Sequence, residues 1–247
     1  MSSAPDPLPI VVPVAGEGTR LRPHTEDRPK ALVEVAGEPL LARLLRSVAH
    51  LDPPFAVLVV PGRGGPVEQR FGDEFAGLAL RYAVQERPEG LAPAVLAARP
   101  LLDGPFMVVQ GDNVLRADLS PAVGRFRREE LDALVLTEEV APEAARQAVC
   151  LTDEAGSLRR IVEHPDEARR RAGLIVAGVL LFSESVFAAC RRVEPSEEGE
   201  RELTDAVNLL LADPAARVAA MPLPGRRVNV NTPDDLRRAE ALVRAGR

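Results

Sequence analysis

The chain has 247 residues, 46% of them apolar and only 3% aromatic, with a formal charge of −6. That is enough apolar material for one α/β domain with a core of Leu, Val and Ala, while the negative balance excludes nonspecific nucleic-acid binding. No apolar run reaches the ~18 residues of a membrane span, and no signal peptide or lipidation motif is present. Two cysteines, Cys150 and Cys190, lie in apolar stretches; they suit a reducing cytoplasm better than a disulfide framework. A single domain over residues 1–247 is expected, with residues 1–8 a frayed leader.

The first element is the β-branched run Ile10, Val11, Val12, Val14, which reads as a strand buried on both faces. It breaks into Ala15-Gly16-Glu17-Gly18-Thr19-Arg20. Two glycines there open backbone conformations closed to other residues, so N–H groups can converge on an anion beside a hydroxyl and a guanidinium. A dinucleotide fingerprint would need a third glycine where Leu21 stands, and Pro23 and Pro29 forbid an early helix. The pattern G-x-x-x-x-G-K-[ST] is absent. Lys30, the only lysine beside thirty arginines, falls in this same loop. A compact point charge does work that a planar fork does not, so its placement marks a phosphate-handling position.

A helix is expected from about Leu40 to Ala49, with Leu41, Leu44, Leu45 and Val48 on one face. Strands follow at 55–60 and 78–84, separated by a short helix ending near Phe71. Leu91–Ala98 reads as a helix that tolerates Pro93 in its first turn, and 106–110 as a short apolar strand. Gly111-Asp112-Asn113 ends that strand; a carboxylate at such a strand terminus is where open α/β sheets build sites, and it suits Mg²⁺. A helix over 118–130, a strand at 132–137 and a hairpin of 149–153 with 157–162 come next. Residues 175–182 form a buried strand, and a helix runs to about Leu211 with Thr204 as its cap or Asp205 at its start. Residues 227–236 close the sheet and start a last helix at Thr232-Pro233-Asp234-Asp235. The arginine runs 125–128 and 169–171 read as solvated faces.

The string G-x-G-T-R-L-R-P-x-T followed by P-K, residues 16–30, strongly resembles the signature of the sugar-phosphate nucleotidyltransferases, the nucleoside-diphosphate-sugar pyrophosphorylases. The resemblance extends from Ile10 to about Ala239. It implies a three-layer α/β/α, Rossmann-like fold with a mostly parallel mixed sheet. It further implies that Ala15, Gly16, Gly18 and Thr19 cradle a triphosphate, that Arg20 and Lys30 neutralise charge, and that Asp112 binds Mg²⁺. Gln85 and Gly90 match the base-reading segment, the amide suiting the O4 and N3–H edge of uracil or thymine. The form Gln85…Gly90-Leu91-Ala92 resembles the thymidylyltransferase branch, and uridylyltransferases also use a glutamine.

The same resemblance puts Asn113, Glu163, His164 and Gly178 at the acceptor. Glu163-His164-Pro165 departs from the family's E-K-P: a histidine replaces the lysine expected on the sugar phosphate, and its charge depends on pH. Gly199-Glu200-Arg201-Glu202-Leu203-Thr204-Asp205 matches a further family segment whose role the residues leave open. The second metal ligand, an aspartate in most of the family, would here be Asn229 or Asn231; spacing leaves both standing. The implied reaction is NTP plus sugar 1-phosphate to NDP-sugar plus pyrophosphate, with a pyrimidine base and a possible homo-oligomer by analogy. A cytidylyltransferase for a polyol, choline or phosphonate phosphate is the nearer alternative. A non-catalytic nucleotide-sugar sensor is the other.

Overall fold

The computed structural model describes residues 7–16, 18–145, 148–171 and 173–245. Residues 1–6 of the expected leader lie outside these; Leu8, counted with them, is 3% exposed and packs into the core. Strand β1 (Ile10–Pro13) takes up the first apolar run. From its end, 3-10 turns at Thr19–Leu21 and Lys30–Leu32 lead into a small hairpin of β2 (Glu34–Val35) and β3 (Glu38–Pro39). Helix α1 (Leu40–Val48), β4 (Ala56–Val60), α2 (Pro66–Phe71), β5 (Glu74–Phe75), β6 (Leu78–Val84), α3 (Leu91–Ala98) and β7 (Phe106–Val109) follow. Then come β8 (Asn113–Ala117), α4 (Ser120–Arg128), β9 (Ala133–Glu139), β10 (Val149–Thr152), β11 (Leu158–Val162), α5 (Glu167–Arg170) and β12 (Leu174–Phe182). The chain continues through α6 (Ser185–Cys190), α7 (Leu203–Leu211), β13 (Val218–Pro222), β14 (Gly225–Asn229) and α8 (Pro233–Arg244).

The sheet is the expected mixed one. Its centre, β7-β1-β4-β6, is parallel, and β12 runs antiparallel beside β7. Along β1 the side chains alternate between faces: Ile10 and Val12 enter a core shared with Leu41, Leu44, Leu45 of α1 and Phe126 of α4. Val11 enters the opposite core with Val95 of α3, Phe187 of α6 and Val207 of α7. Helices therefore cover both faces, which is why the central strands are apolar throughout. The carboxyl ends of β1 and β7 lie side by side, so their outgoing loops meet at one edge. Gly111 permits the approach, because a Cβ on it would stand 2.5 Å from the Pro13 carbonyl oxygen.

Two expectations are corrected. Residues 227–229 do not close the main sheet: β14 pairs antiparallel with β8 alone, in a separate two-stranded sheet that sets Asn229 opposite Asn113. And α7 begins with Glu202 at its cap position; Thr204 lies inside the helix, its hydroxyl donating to Glu163 Oε1 at 2.7 Å instead of capping. The last helix starts as read, with Thr232 and Asp235 forming a reciprocal capping box and Pro233 at the first position.

Candidate active site

A cleft of about 420 Å³ opens where the β1 and β7 loops meet, lined by Ala15, Gly16, Gly18, Thr19, Arg20 and Lys30, and across from them by Gln85, Gly90, Asp112 and Asn231. On one wall, Gly18 takes φ +66 and packs against the Lys30 stem, and Thr25 Oγ1 holds the Gly18 carbonyl at 2.9 Å. This pins the turn so that the N–H groups of Gly18, Thr19 and Arg20 donate to none of the described residues. They remain available to an anion. Arg20 is exposed on the same wall.

The floor is a polar knot. Lys30 Nζ donates to Asp112 Oδ2 at 3.0 Å and to Asn231 Oδ1 at 2.7 Å. Asn231 in turn donates through Nδ2 to Asn229 Oδ1 at 2.5 Å. Of the two asparagines, Asn231 therefore aims its carbonyl oxygen at the same cation as Asp112, whereas Asn229 orients Asn231 and does not line the cleft. No group of three or more His, Cys, Asp or Glu among the described residues forms a self-sufficient metal cage.

At the other end Gln85 is 9% exposed and donates from Nε2 to the Gly90 carbonyl at 2.9 Å. Gly90 has φ +107, and a Cβ there would overlap the backbone of Arg201 at 2.4 Å from its carbonyl oxygen. The segment around Arg201 is stitched to this turn by Arg201 N–H to Glu89 O and Ala92 N–H to Arg201 O. That docking carries Glu200 and Glu202 into the cleft. Burial, then the neighbouring carboxylates of Glu163 and Glu200, push Glu202 up to about 8. Glu163 is also raised by burial, opposed by its hydrogen bond from Thr204.

Three acceptor-side expectations fall differently. Asn113 is fully buried, so it meets no cleft surface and its amide serves the protein interior. His164 stands at φ +46 with its side chain 65% exposed and its Nε2 3.7 Å from Glu198; it does not line the cleft. Gly178, at φ +68, leaves space that a Cβ would take from the Asn113 amide, 2.6 Å away. Glu200, Glu202 and Gln110 line the cleft without having been singled out as site residues. The sequence signal for the first two was the Gly199–Asp205 segment, whose carboxylates gain a site only through contact with Gly90.

This arrangement defines a phosphate-handling α/β enzyme with an N–H-lined loop, a point cation and a carboxylate around one cleft. The chain belongs to the nucleotidyl transferase family, whose model matches residues 10–240, and it is accordingly a nucleotidyltransferase. It is 37% identical over 94% of its length to the UTP–glucose-1-phosphate uridylyltransferase of Haloferax volcanii, covering 95% of that protein. It is 34% identical over 88% of its length to a glucose-1-phosphate thymidylyltransferase of Streptomyces antibioticus, and there spans only 61% of the longer relative. In fold it resembles a UDP-glucose pyrophosphorylase complexed with UDP-glucose, with a TM-score of 0.86 at 21% identity over 97% of this chain and 99% of the other.

Proposed function

We propose that the chain joins a pyrimidine nucleoside triphosphate, UTP or dTTP, to a sugar 1-phosphate, releasing pyrophosphate. The observation that carries this reading is the convergence of Lys30 with Asp112 and Asn231 in the cleft that Gly18, Thr19 and Arg20 also line. The relatives from Haloferax volcanii and Streptomyces antibioticus, named for UTP and thymidylyl transfer to glucose 1-phosphate, support it.

The glycine loop would bind the triphosphate through its backbone, and Gln85 would meet the base, its carbonyl oxygen left over once Nε2 has bonded Gly90. An oxygen of the acceptor phosphate attacks the α-phosphorus in line; the new O–P bond forms as the α–β bridging bond breaks, and the electron pair leaves on pyrophosphate. Little covalent chemistry is asked of the protein, so positioning and charge neutralisation dominate. Lys30 would contact both reacting phosphates, and Arg20 would neutralise the leaving group. With His164 outside the cleft, the acceptor phosphate would rest on these two cations. Glu200 and Glu202 would face the sugar hydroxyls.

The residues fit a divalent ion: Asp112 Oδ2 and Asn231 Oδ1 already converge on a single positive charge, and Mg²⁺ is commonly held by one or two carboxylates plus substrate phosphates. Asp112 and Asn231 would hold Mg²⁺, which would supply charge to offset that of the two substrates. The deciding experiment is pyrophosphate release with Mg²⁺ for UTP, dTTP, CTP, ATP and GTP, each against a panel of sugar 1-phosphates and non-sugar phosphates, with Lys30→Ala as control. Turnover of UTP or dTTP with a hexose 1-phosphate, abolished in the variant, is expected. Turnover only with CTP and a non-sugar phosphate, or binding of nucleotide sugar without turnover on any pair, overturns it.

A further inference from the structure

Behind the cleft floor lies a cation that the reaction just outlined does not use. Arg227, on β14, has a side chain only 3% exposed. Its three nitrogens are all engaged: Nε donates to Glu138 Oε2 at 2.9 Å, Nη1 to Asn113 Oδ1 at 3.0 Å and Nη2 to the Val176 carbonyl at 3.2 Å. A buried guanidinium is costly to desolvate, and as mere packing a methionine of similar volume would serve as well or better. What it does that methionine cannot is fix the direction of an amide. With Oδ1 of Asn113 held by Nη1, Nδ2 must point the other way, to the Gln110 carbonyl at 3.2 Å and Asp112 Oδ1 at 3.4 Å. That leaves Asp112 Oδ2 turned to Lys30. Gly178 leaves the room this amide needs. The same strand ends at Asn229, whose Oδ1 accepts from Asn231 Nδ2 in the loop beyond, so the element that carries Arg227 also orients the second oxygen of the floor.

We propose that Arg227 is a positioning residue for nucleotidyl transfer: acting through Asn113, it holds the Asp112 carboxylate in the orientation that receives the divalent ion. The role rests on the function proposed above. The test uses the full chain with Arg227→Met, Asn113→Ala, the double variant and Arg227→Lys. Mn²⁺ is titrated into each protein saturated with UTP, free Mn²⁺ is read by electron paramagnetic resonance, and kcat and KM for UTP are measured in parallel with thermal denaturation. Each single variant is expected to weaken Mn²⁺ binding by about tenfold, the low end for groups behind a metal ligand, and to lower kcat while the KM for UTP stays within about twofold. The double variant should be no worse than the poorer single one, because both act on one path. Arg227→Lys keeps the charge and loses the fork, and should bind Mn²⁺ more weakly than wild type, which tests the role even if the methionine variant does not fold. Folded variants with wild-type Mn²⁺ affinity, or single effects that simply add, overturn the role while leaving the function standing. A wild-type protein that binds no Mn²⁺–UTP overturns the function and this role with it.

Discussion

The Lys30 ammonium lies 2.7 Å from Oδ1 of Asn231, a residue 201 positions further along the chain. No local motif creates that contact; the 3-10 turn after Pro29 and the loop after β14 bring it about. A lysine held by a carboxylate and an amide oxygen has its charge aimed before substrate arrives, the preorganised arrangement that contributes most in phosphate chemistry. Lys30→Ala is expected to lower kcat by about 10²–10³-fold with little change in melting temperature. Lys30→Arg should rescue poorly, since a planar fork does not fill a point-charge position. Steady-state pyrophosphate release and calorimetry check both.

Asn231→Asp adds a second carboxylate to the floor. With nucleotide bound, the Mg²⁺ concentration for half-maximal activity should fall, because a charged oxygen holds a hard cation better than an amide. Asn229→Asp should have the smaller effect, as Asn229 reaches the floor through Asn231 Nδ2. A Mg²⁺ titration of activity across the three proteins separates the two positions.

Gly90 and Gly16 offer a paired test of backbone constraint. An alanine at 90 must accept φ +107 and overlap the Arg201 backbone, whereas at Gly16 a Cβ meets nothing within 4 Å. Gly90→Ala is expected to cost ~1–3 kcal/mol of stability and to weaken nucleotide binding by undocking the segment that carries Glu202. Gly16→Ala should leave stability within about 0.5 kcal/mol of wild type. Urea denaturation and nucleotide titration report the difference.

Much of this site was legible because it is built from residue types with narrow uses. Gly18, Lys30 and Asp112 announce themselves by backbone freedom, by scarcity and by position after a strand, and the central strands by unbroken apolar runs. Arg227 and Asn113 could not be read so easily. Asn-Val-Leu-Arg-Ala and Gly-Arg-Arg-Val-Asn are short, polar-flanked strands whose burial depends on pairing with each other, and no periodicity within either reveals a distant partner. Thr204 misled for a related reason: its hydroxyl can satisfy a helix terminus or a carboxylate, and Glu163 was the partner that folding supplied.

Glu202 makes stability depend on pH. Burial, then the carboxylates of Glu163 and Glu200, push its carboxyl up from the ordinary 4.5 to about 8 in the folded chain. Between those values the folded state keeps a proton that the unfolded state has released, so stability is fully present below pH 4.5 and erodes as pH rises toward about 8. Glu163, also raised, adds in the same direction. Glu202→Gln should flatten the profile of melting temperature against pH and overtake wild type near pH 8. Differential scanning calorimetry from pH 5 to 8.5 shows whether the two curves cross.

Cys150 and Cys190 are both free and buried, and burial pushes each thiol up to about 12. Thiolate is therefore scarce at neutral pH, and neither sulfur should react with a disulfide reagent in the native state. Both should react at once in denaturant, and the native lag measures global opening.

The pairing of β14 with β8 has a consequence for the order in which a working enzyme comes into being. Asp112 is synthesised well ahead of the strand that sets Asn229 opposite Asn113, and with it Asn231 against Lys30. The parallel centre of the sheet, β1, β4, β6 and β7, is complete long before that, so a nascent chain can gather its core and its glycine loop while the catalytic floor is still missing a side. The floor of the cleft is thereby completed only once β14 has been made, and a chain that stalls short of residue 225 is expected to lack the Asn231 side of it.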